Sequence, residues 1–442
     1  MSSRYLPART ILFEQKAGGA TYRIPALLHL PASGTLLAFA EKRRSQADVD
    51  ADVLVVRRGE VSRNSVEWWD MEVLSLAQLR DHRSMNPCPV YDSTSHTLFL
   101  FFIAIPGRTS EVHQLYTGVN VTRLCYVSSS DQGRSWRGPT DLTDSTLGCS
   151  VRDWATFGLG PGHGIQLQCG RLLIPAYAYR IDSMECFGRW CKSSPHSFAF
   201  YSDDQGKHWS FGEFISDLET VECQLVALDE GQGHGALYCN ARTPGDCRAQ
   251  ALSLDRGAAF QEGTLVPKLV EPGNGCHGSV VGFPAPVLGL AEDSGASDGS
   301  SSPDLPSTPQ HKCWKIATDL PPPTWVVYCH PTSPTSRLHL GVYLNTSPRD
   351  PHSWSEPWVI YRGPSAYSDL AFVQLSSAKH QETHPTTPAF GCLYECGSRT
   401  PYETIAFSLF TVRELLHNVP HFPGETQEEL SVTTGGVCCC IT

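Results

Sequence analysis

The sequence predicts an all-β fold made of repeated small sheets. Breakers are dense, with 37 glycines and 32 prolines in 442 residues. Between them lie short runs of strand-forming residues: TLLAFAEKR (35–43), TLFLFFIAI (97–105), RLLIPAYAY (171–179), SFAFYS (197–202) and WVVYCHP (325–331). Many short strands separated by turn signals indicate hairpin-linked sheets rather than βαβ units. The third observation is a recurring turn.

SSDQGRSW holds Ser129, Asp131, Gly133 and Trp136, and SDDQGKHW repeats the frame with Ser202, Asp204, Gly206 and Trp209. A weaker copy, SLDRGAAF, keeps Ser253, Asp255 and Gly257 and ends in Phe260. The aspartate accepts from turn amides, the glycine supplies positive φ, and the aromatic pins the hairpin to its own sheet. A turn device repeated in this way implies repeated sheets, hence the blades of a propeller. These aspartates are therefore structural rather than catalytic.

LFLFFIAI (98–105), closed by Pro106 and Gly107, is a buried strand and is too short to cross a bilayer. GLGPGHG (158–164) looks like a phosphate loop but runs into a strand, so it is a turn. Residues 285–324, rich in Ser, Pro, Gly and Asp, read as a low-complexity insertion. Only VRELLHNV (412–419) reads as helix. The expected organisation is one propeller over 1–416, interrupted at 285–324, and an irregular tail over 417–442.

Composition excludes several classes. Hydrophobic residues at 40% supply a core, and 18% charged residues exclude a disordered chain. The net charge of −11 argues against nucleic acid as partner. The 17 cysteines form no zinc-ligand pattern and suit reduced thiols in the cytosol. The N-terminus lacks the apolar core of a secretory signal, so the sequons at Asn120 and Asn345 read as chance. No H-E-x-x-H is present.

One charge stands out. TYRIPALL (21–28) places Arg23 inside a strand-core run. A strand-end arginine can snorkel to solvent, whereas a buried guanidinium needs an anion beside it. The stretch TYRIPALL, together with the Asp-box repeats, resembles the sialidase (neuraminidase) family. LAFAEKR, HRSMNPCPV, FLFFIAIPG, DWATF, GPGHGIQL, VECQ, NAR and AYSDL resemble its vertebrate members over about residues 10–417. ECFGRWCKSSPHSFAFYSDD, the Pro/Ser-rich insertion and the cysteine-rich end are closest to the neuraminidase-4 type.

The resemblance implies a six-bladed β-propeller and a set of site residues. Arg23, Arg242 and Arg337 match an arginine triad that grips the carboxylate of sialic acid, a task suited to planar, permanently charged guanidinium forks. Glu395 matches the residue that holds Arg23. Tyr367 matches the nucleophile and Glu222 the base that deprotonates it. Sialidases are an exception among glycosidases in using tyrosine; a neutral nucleophile avoids repulsion from the carboxylate on the reacting carbon. Asp48 matches the acid/base by its distance from Glu41, with Asp50 and Asp52 as alternatives in the same loop. Glu41 and Arg43 match residues near the C4 hydroxyl, and Met85 and Asn86 the N-acetyl pocket. Glu111, Tyr177 and Tyr179 match the glycerol end, although Tyr177 and Tyr179 also alternate as any half-buried strand does. His277 departs from the pattern, standing where the family would have Gln; it is either a group able to titrate between pH 5 and 8 or a silent substitution.

The implied activity is that of a retaining exo-α-sialidase, needing no metal or cofactor, on sialylated glycolipids, glycoproteins and oligosaccharides. The alternatives are a sialic-acid-binding propeller without turnover and a pure scaffold; the first predicts a missing Tyr/Glu pair or acid, and here all are present. The missing signal favours the cytosol or a membrane surface, with Cys438, Cys439 and Cys440 as acylation sites for peripheral attachment; an endomembrane or lysosomal location stays open.

Overall fold

The computed structural model describes residues 5–16, 18–62, 65–184, 191–230, 235–286, 321–375 and 386–420. The expected 285–324 insertion and the Cys438–Cys440 tail fall largely or wholly outside these. The chain forms antiparallel sheets in a propeller-like arrangement. The first joins Thr21–Leu30, Thr35–Arg43, Ala51–Ser62 and Ser65–Trp68, and the second joins His82–Asp92, Thr97–Pro106, Arg123–Ser129 and Arg137–Asp141. The third is built on Trp154–Leu159, Leu172–Met184 and Cys191–Ser202, and the fourth on Cys223–Leu228, Ala236–Ala241, Cys247–Ser253 and Thr264–Val270.

A seven-stranded sheet completes the set. Its long strand Trp358–Leu375 pairs with Leu338–Asn345 through residues 358–364 and with Thr387–Cys396 through residues 365–375. Its outer strand is Arg9–Glu14, which pairs with Thr404–Thr411 and so ties the two ends of the chain together. That pairing leaves fewer exposed edges on the sheet.

Strand LFLFFIAI shows how the sheets pack. Leu98, Leu100, Phe102 and Ala104 enter one apolar cluster, while Phe99, Phe101, Ile103 and Ile105 enter another. With a side-chain period of two, a strand packed by sheets on both faces must be apolar throughout.

All three repeated turns form as expected, with one addition. The serine hydroxyl is the hub: Ser129, Ser202 and Ser253 each donate to the box aspartate and accept the glycine amide, at 2.7, 2.9 and 2.8 Å for Gly133, Gly206 and Gly257. Those glycines stand at φ 77°, 81° and 87°. Asp204 accepts from the amide and ring of His208, which hold its carboxyl down at about 2.

The central strands are clasped by polar groups. Buried Asp369 accepts from the Leu27 amide at 2.7 Å, His163 Nδ1 at 2.8 Å and the Ser279 hydroxyl at 2.8 Å. Gln224 donates to the Pro161 carbonyl, and Gly164 to the Pro89 carbonyl. GLGPGHG is thus a turn within this clasp; a Cβ on Gly162 would lie 2.2 Å from Gln224 Nε2.

Helix Val412–Asn418 forms, capped by Thr411 and Glu414. The sequence missed Glu111–Thr117, whose Val, His, Tyr and Thr are weaker helix formers than the Arg, Glu and two Leu of Val412–Asn418. The twelve cysteines among the described residues are free thiols, eight of them buried. Asn345, the last residue of the strand Leu338–Asn345, is fully buried and bonded to the Ser347 amide and the Asp350 carbonyl. No helix of the described residues is long and apolar enough to cross a membrane.

Candidate active site

Eleven of the residues singled out in the sequence line one pocket of about 270 Å³: Arg23, Arg43, Asp48, Asn86, Glu111, Tyr177, Tyr179, Glu222, Arg242, Arg337 and Tyr367. They are joined by Ile24 and Val221. Glu41 and Glu395 are fully buried and do not line it, and Met85 packs into the apolar core.

The Arg-Ile-Pro motif is a bulge. Pairing between Thr21–Leu30 and Thr35–Arg43 slips between Arg23 and Ala26, and Ile24 stands at φ 58°. That conformation is an outlier for a β-branched residue and persists only where the surroundings over-determine it. Here Glu395 does so: it accepts the Ile24 amide at 2.9 Å, Arg23 Nε at 2.7 Å and the Tyr367 amide at 3.2 Å. Burial works against the Arg23 charge, but Glu395 outweighs it and holds the guanidinium above its ordinary value. Asn86, at φ 53° before Pro87, repeats the device with its amide donating to Glu41 at 2.7 Å. Another bulge, between Ser365 and Ser368, aims Tyr367.

The Tyr367 hydroxyl donates to Glu222 Oε1 at 2.5 Å. Arg242 Nη1 donates to the other Glu222 oxygen at 2.7 Å and to the Tyr367 oxygen at 3.2 Å. Burial, then Glu222, raises the phenol well above its ordinary value, while Arg242 and Arg337 pull it back. A phenol so raised reacts only with a base in contact, and Glu222 is in contact.

Arg337 differs from its two companions. It donates to the Gly275 carbonyl at 2.9 Å and the Tyr402 hydroxyl at 3.0 Å. Among the described residues it has bonds to carbonyl and phenol oxygens and to no carboxylate. Its charge is open to an incoming anion. Sequence reasoning missed Tyr402, whose ring also lies 4.2 Å from the Arg23 guanidinium carbon, and the carbonyls of Asn274 and Gly275, which accept from Arg242 and Arg337. Backbone acceptors leave no residue-type signal.

Asp48 opens the short helical turn Asp48–Asp50, bonded to Arg43 at 2.6 Å with its side chain 67% exposed toward the pocket mouth. Asp50 is held by Ser45 and Arg108, and Asp52 is exposed and does not line the pocket. Arg43 is itself pinned by Glu41 at 2.7 Å. Glu111 begins the unpredicted helix. Although solvent reaches it at the mouth, crowding on the pocket side, then Asp48 and Glu222, push its carboxyl up to about 7. Tyr177 and Tyr179 share one face with rings edge-on at 6.2 Å. His277 is buried, has no side-chain hydrogen bond among the described residues, and is held well below its ordinary value by burial and then by Arg248.

Among the described residues no group of three His, Cys, Asp or Glu is placed to hold a metal. The arrangement suits an anionic ligand met by three guanidinium groups, with a base-activated phenol on one side and an accessible carboxyl on the other.

A BNR repeat-like domain matches residues 34–376. Human Sialidase-4 is 45% identical over 469 residues, covering 94% of this chain and 96% of that protein. Human Sialidase-3 is 45% identical over 413 residues, covering 92% and 93%. A solved Hadza microbial sialidase superposes with a TM-score of 0.64 at 19% identity, covering 89% of this chain and 66% of that one; it supports the fold alone.

Proposed function

The chain belongs to the sialidase family, and from that premise we propose that it is a retaining exo-α-sialidase, a glycoside hydrolase releasing terminal α-linked sialic acid from glycoconjugates. The observation that carries the reading is the Tyr367–Glu222–Arg242 contact beside Arg337, which has no carboxylate partner among the described residues.

Arg23, Arg242 and Arg337 anchor the substrate carboxylate. Asp48 protonates the leaving oxygen as its bond to C2 breaks. Tyr367, passing its proton to Glu222, bonds to C2 on the opposite face. Water deprotonated by Asp48 then displaces the phenolate, which recovers its proton from Glu222, so configuration is retained overall. Glu41 and Arg43 shape the C4 side, Asn86 with Met85 behind it the N-acetyl side, and Glu111, Tyr177 and Tyr179 the glycerol side.

Six blades are inferred over 1–416. The long Trp358–Leu375 strand pairs on one side through its first half and on the other through its second, which suits two four-stranded blades sharing one strand. Glycolipid, glycoprotein and oligosaccharide substrates are all proposed. Peripheral attachment through acylated Cys438, Cys439 and Cys440 is tested by deleting 438–442 and fractionating cells; an unchanged membrane fraction rejects it. Cytosolic, endomembrane or lysosomal residence is read from the same fractions.

The deciding experiment is hydrolysis of a fluorogenic N-acetylneuraminic acid glycoside by wild type, Arg23→Ala and Tyr367→Phe. Turnover by wild type with collapse in both variants, and ligand still bound by Tyr367→Phe, is expected. Full activity of Tyr367→Phe overturns the mechanism, and binding without turnover by wild type supports the non-catalytic alternative.

A further inference from the structure

We propose that His277 is a positioning residue for Tyr367: a neutral, water-bearing imidazole in the wall behind the phenol ring. The inference rests on Tyr367 being the nucleophile.

Glu222 and Arg242 hold only the Tyr367 hydroxyl. The ring is placed by its neighbours, with the guanidinium carbons of Arg23 and Arg337 at 5.5 and 5.4 Å and the His277 ring at 5.4 Å, tilted by 51°. His277 is the one uncharged polar group of these three. Its backbone is firmly seated, because the Cys276 carbonyl accepts from Arg248 at 2.9 Å and the Cys276 amide donates to Glu271 at 2.9 Å.

The imidazole is fully buried, and among the described residues neither Nδ1 nor Nε2 has a hydrogen-bond partner. Arg248, His330, Arg242 and His163 face it from separate elements, paired in turn with Glu271, Glu222 and Asp369. Burial, with the Arg248 and Arg242 guanidinium groups beside it, disfavours a charge on the ring, which then has one donor and one acceptor to satisfy. Leaving a buried polar atom unmet costs about 1–3 kcal/mol, and folds rarely accept it. The buried Tyr328 hydroxyl also has no hydrogen-bond partner among the described residues, and a Cβ on the adjacent Gly278 would lie 2.7 Å from it. Two unmet groups around one short segment make a polar site of the kind that internal water occupies. A Gln side chain also offers a donor and an acceptor, so the polarity of the position survives that exchange.

Two substitutions and one structure test this. His277→Gln is expected to keep kcat within about threefold, and His277→Leu to lose about tenfold or more in kcat with KM nearly unchanged, because the bound state forms but the nucleophile is misplaced. The melting temperature of His277→Leu is expected to match or exceed wild type, which separates positioning from folding. Wild-type kcat in His277→Leu, equal losses in both variants, or a loss carried by KM would overturn the proposal. Should His277→Leu not fold, a high-resolution wild-type crystal structure decides: ordered water on either ring nitrogen supports the proposal, and direct protein bonds to both overturn it. Full activity in Tyr367→Phe would remove the premise and leaves a separate signature, since it does not depend on position 277.

Discussion

The amide of Ile24 donates to Glu395 at 2.9 Å and that of Asn86 to Glu41 at 2.7 Å, and both residues stand at positive φ directly before a proline. Each carboxylate is fully buried and also grips an arginine: Arg23 for Glu395 and Arg43 for Glu41. One buried anion therefore holds a strained bulge and a site cation together. Neither the kink nor the guanidinium would be stable without it, because each alone carries a cost that the shared carboxylate offsets.

Glu395→Gln removes that anion while Arg23 stays buried. Breaking a buried pair from one side costs about 3–5 kcal/mol. Urea unfolding at pH 7 should show a loss in this range, and KM for the sialoside should rise because Arg23 loses its orientation.

Asp48→Asn separates leaving groups. A sugar aglycone leaves poorly without a proton, so turnover of sialyllactose should fall by about 10²–10⁴. An aryl glycoside leaves unaided, so its release should fall much less in the first step. Asp50→Asn, which alters only contacts with Ser45 and Arg108, should spare both substrates.

Glu111, raised to about 7, is neutral below that pH and ionised above it. Ionisation adds negative charge beside a pocket that receives an anion. Wild-type KM should therefore rise several-fold between pH 6 and 8, while Glu111→Gln should hold KM flat over the same window. Parallel curves would reject the assignment.

Glu271 titrates the other way. Burial alone would raise its carboxyl, but Arg248 and His330 hold it down at about 2. A folded value below the ordinary carboxylate value of about 4.3 contributes stability that is full above pH 4.3 and is lost as pH falls toward 2. Glu271→Gln should be destabilised relative to wild type at pH 7, with the gap closing on acidification below about pH 4 in urea titrations.

The sequence by itself determined the local structure. Short strand-forming runs, dense Gly and Pro, and the S-x-D-x-G-x-x-W turns are encoded within stretches of ten residues or fewer, and all were legible there. The pocket residues were legible only through motif resemblance, since spacing says nothing about Arg23 and Glu395, which lie 372 residues apart. Tertiary structure decided the rest. It turned Asp48 rather than Asp50 or Asp52 into the pocket, made Glu111 the start of a helix, brought Tyr402 between two arginines and set Asp369 as the clasp of the central strands. It also left the His277 ring buried near Arg248 and Arg242 with no hydrogen bond among the described residues. The division has a physical cause: backbone periodicity and turn chemistry act between near neighbours in the chain, whereas burial and charge pairing are created only when separate sheets close around a shared centre.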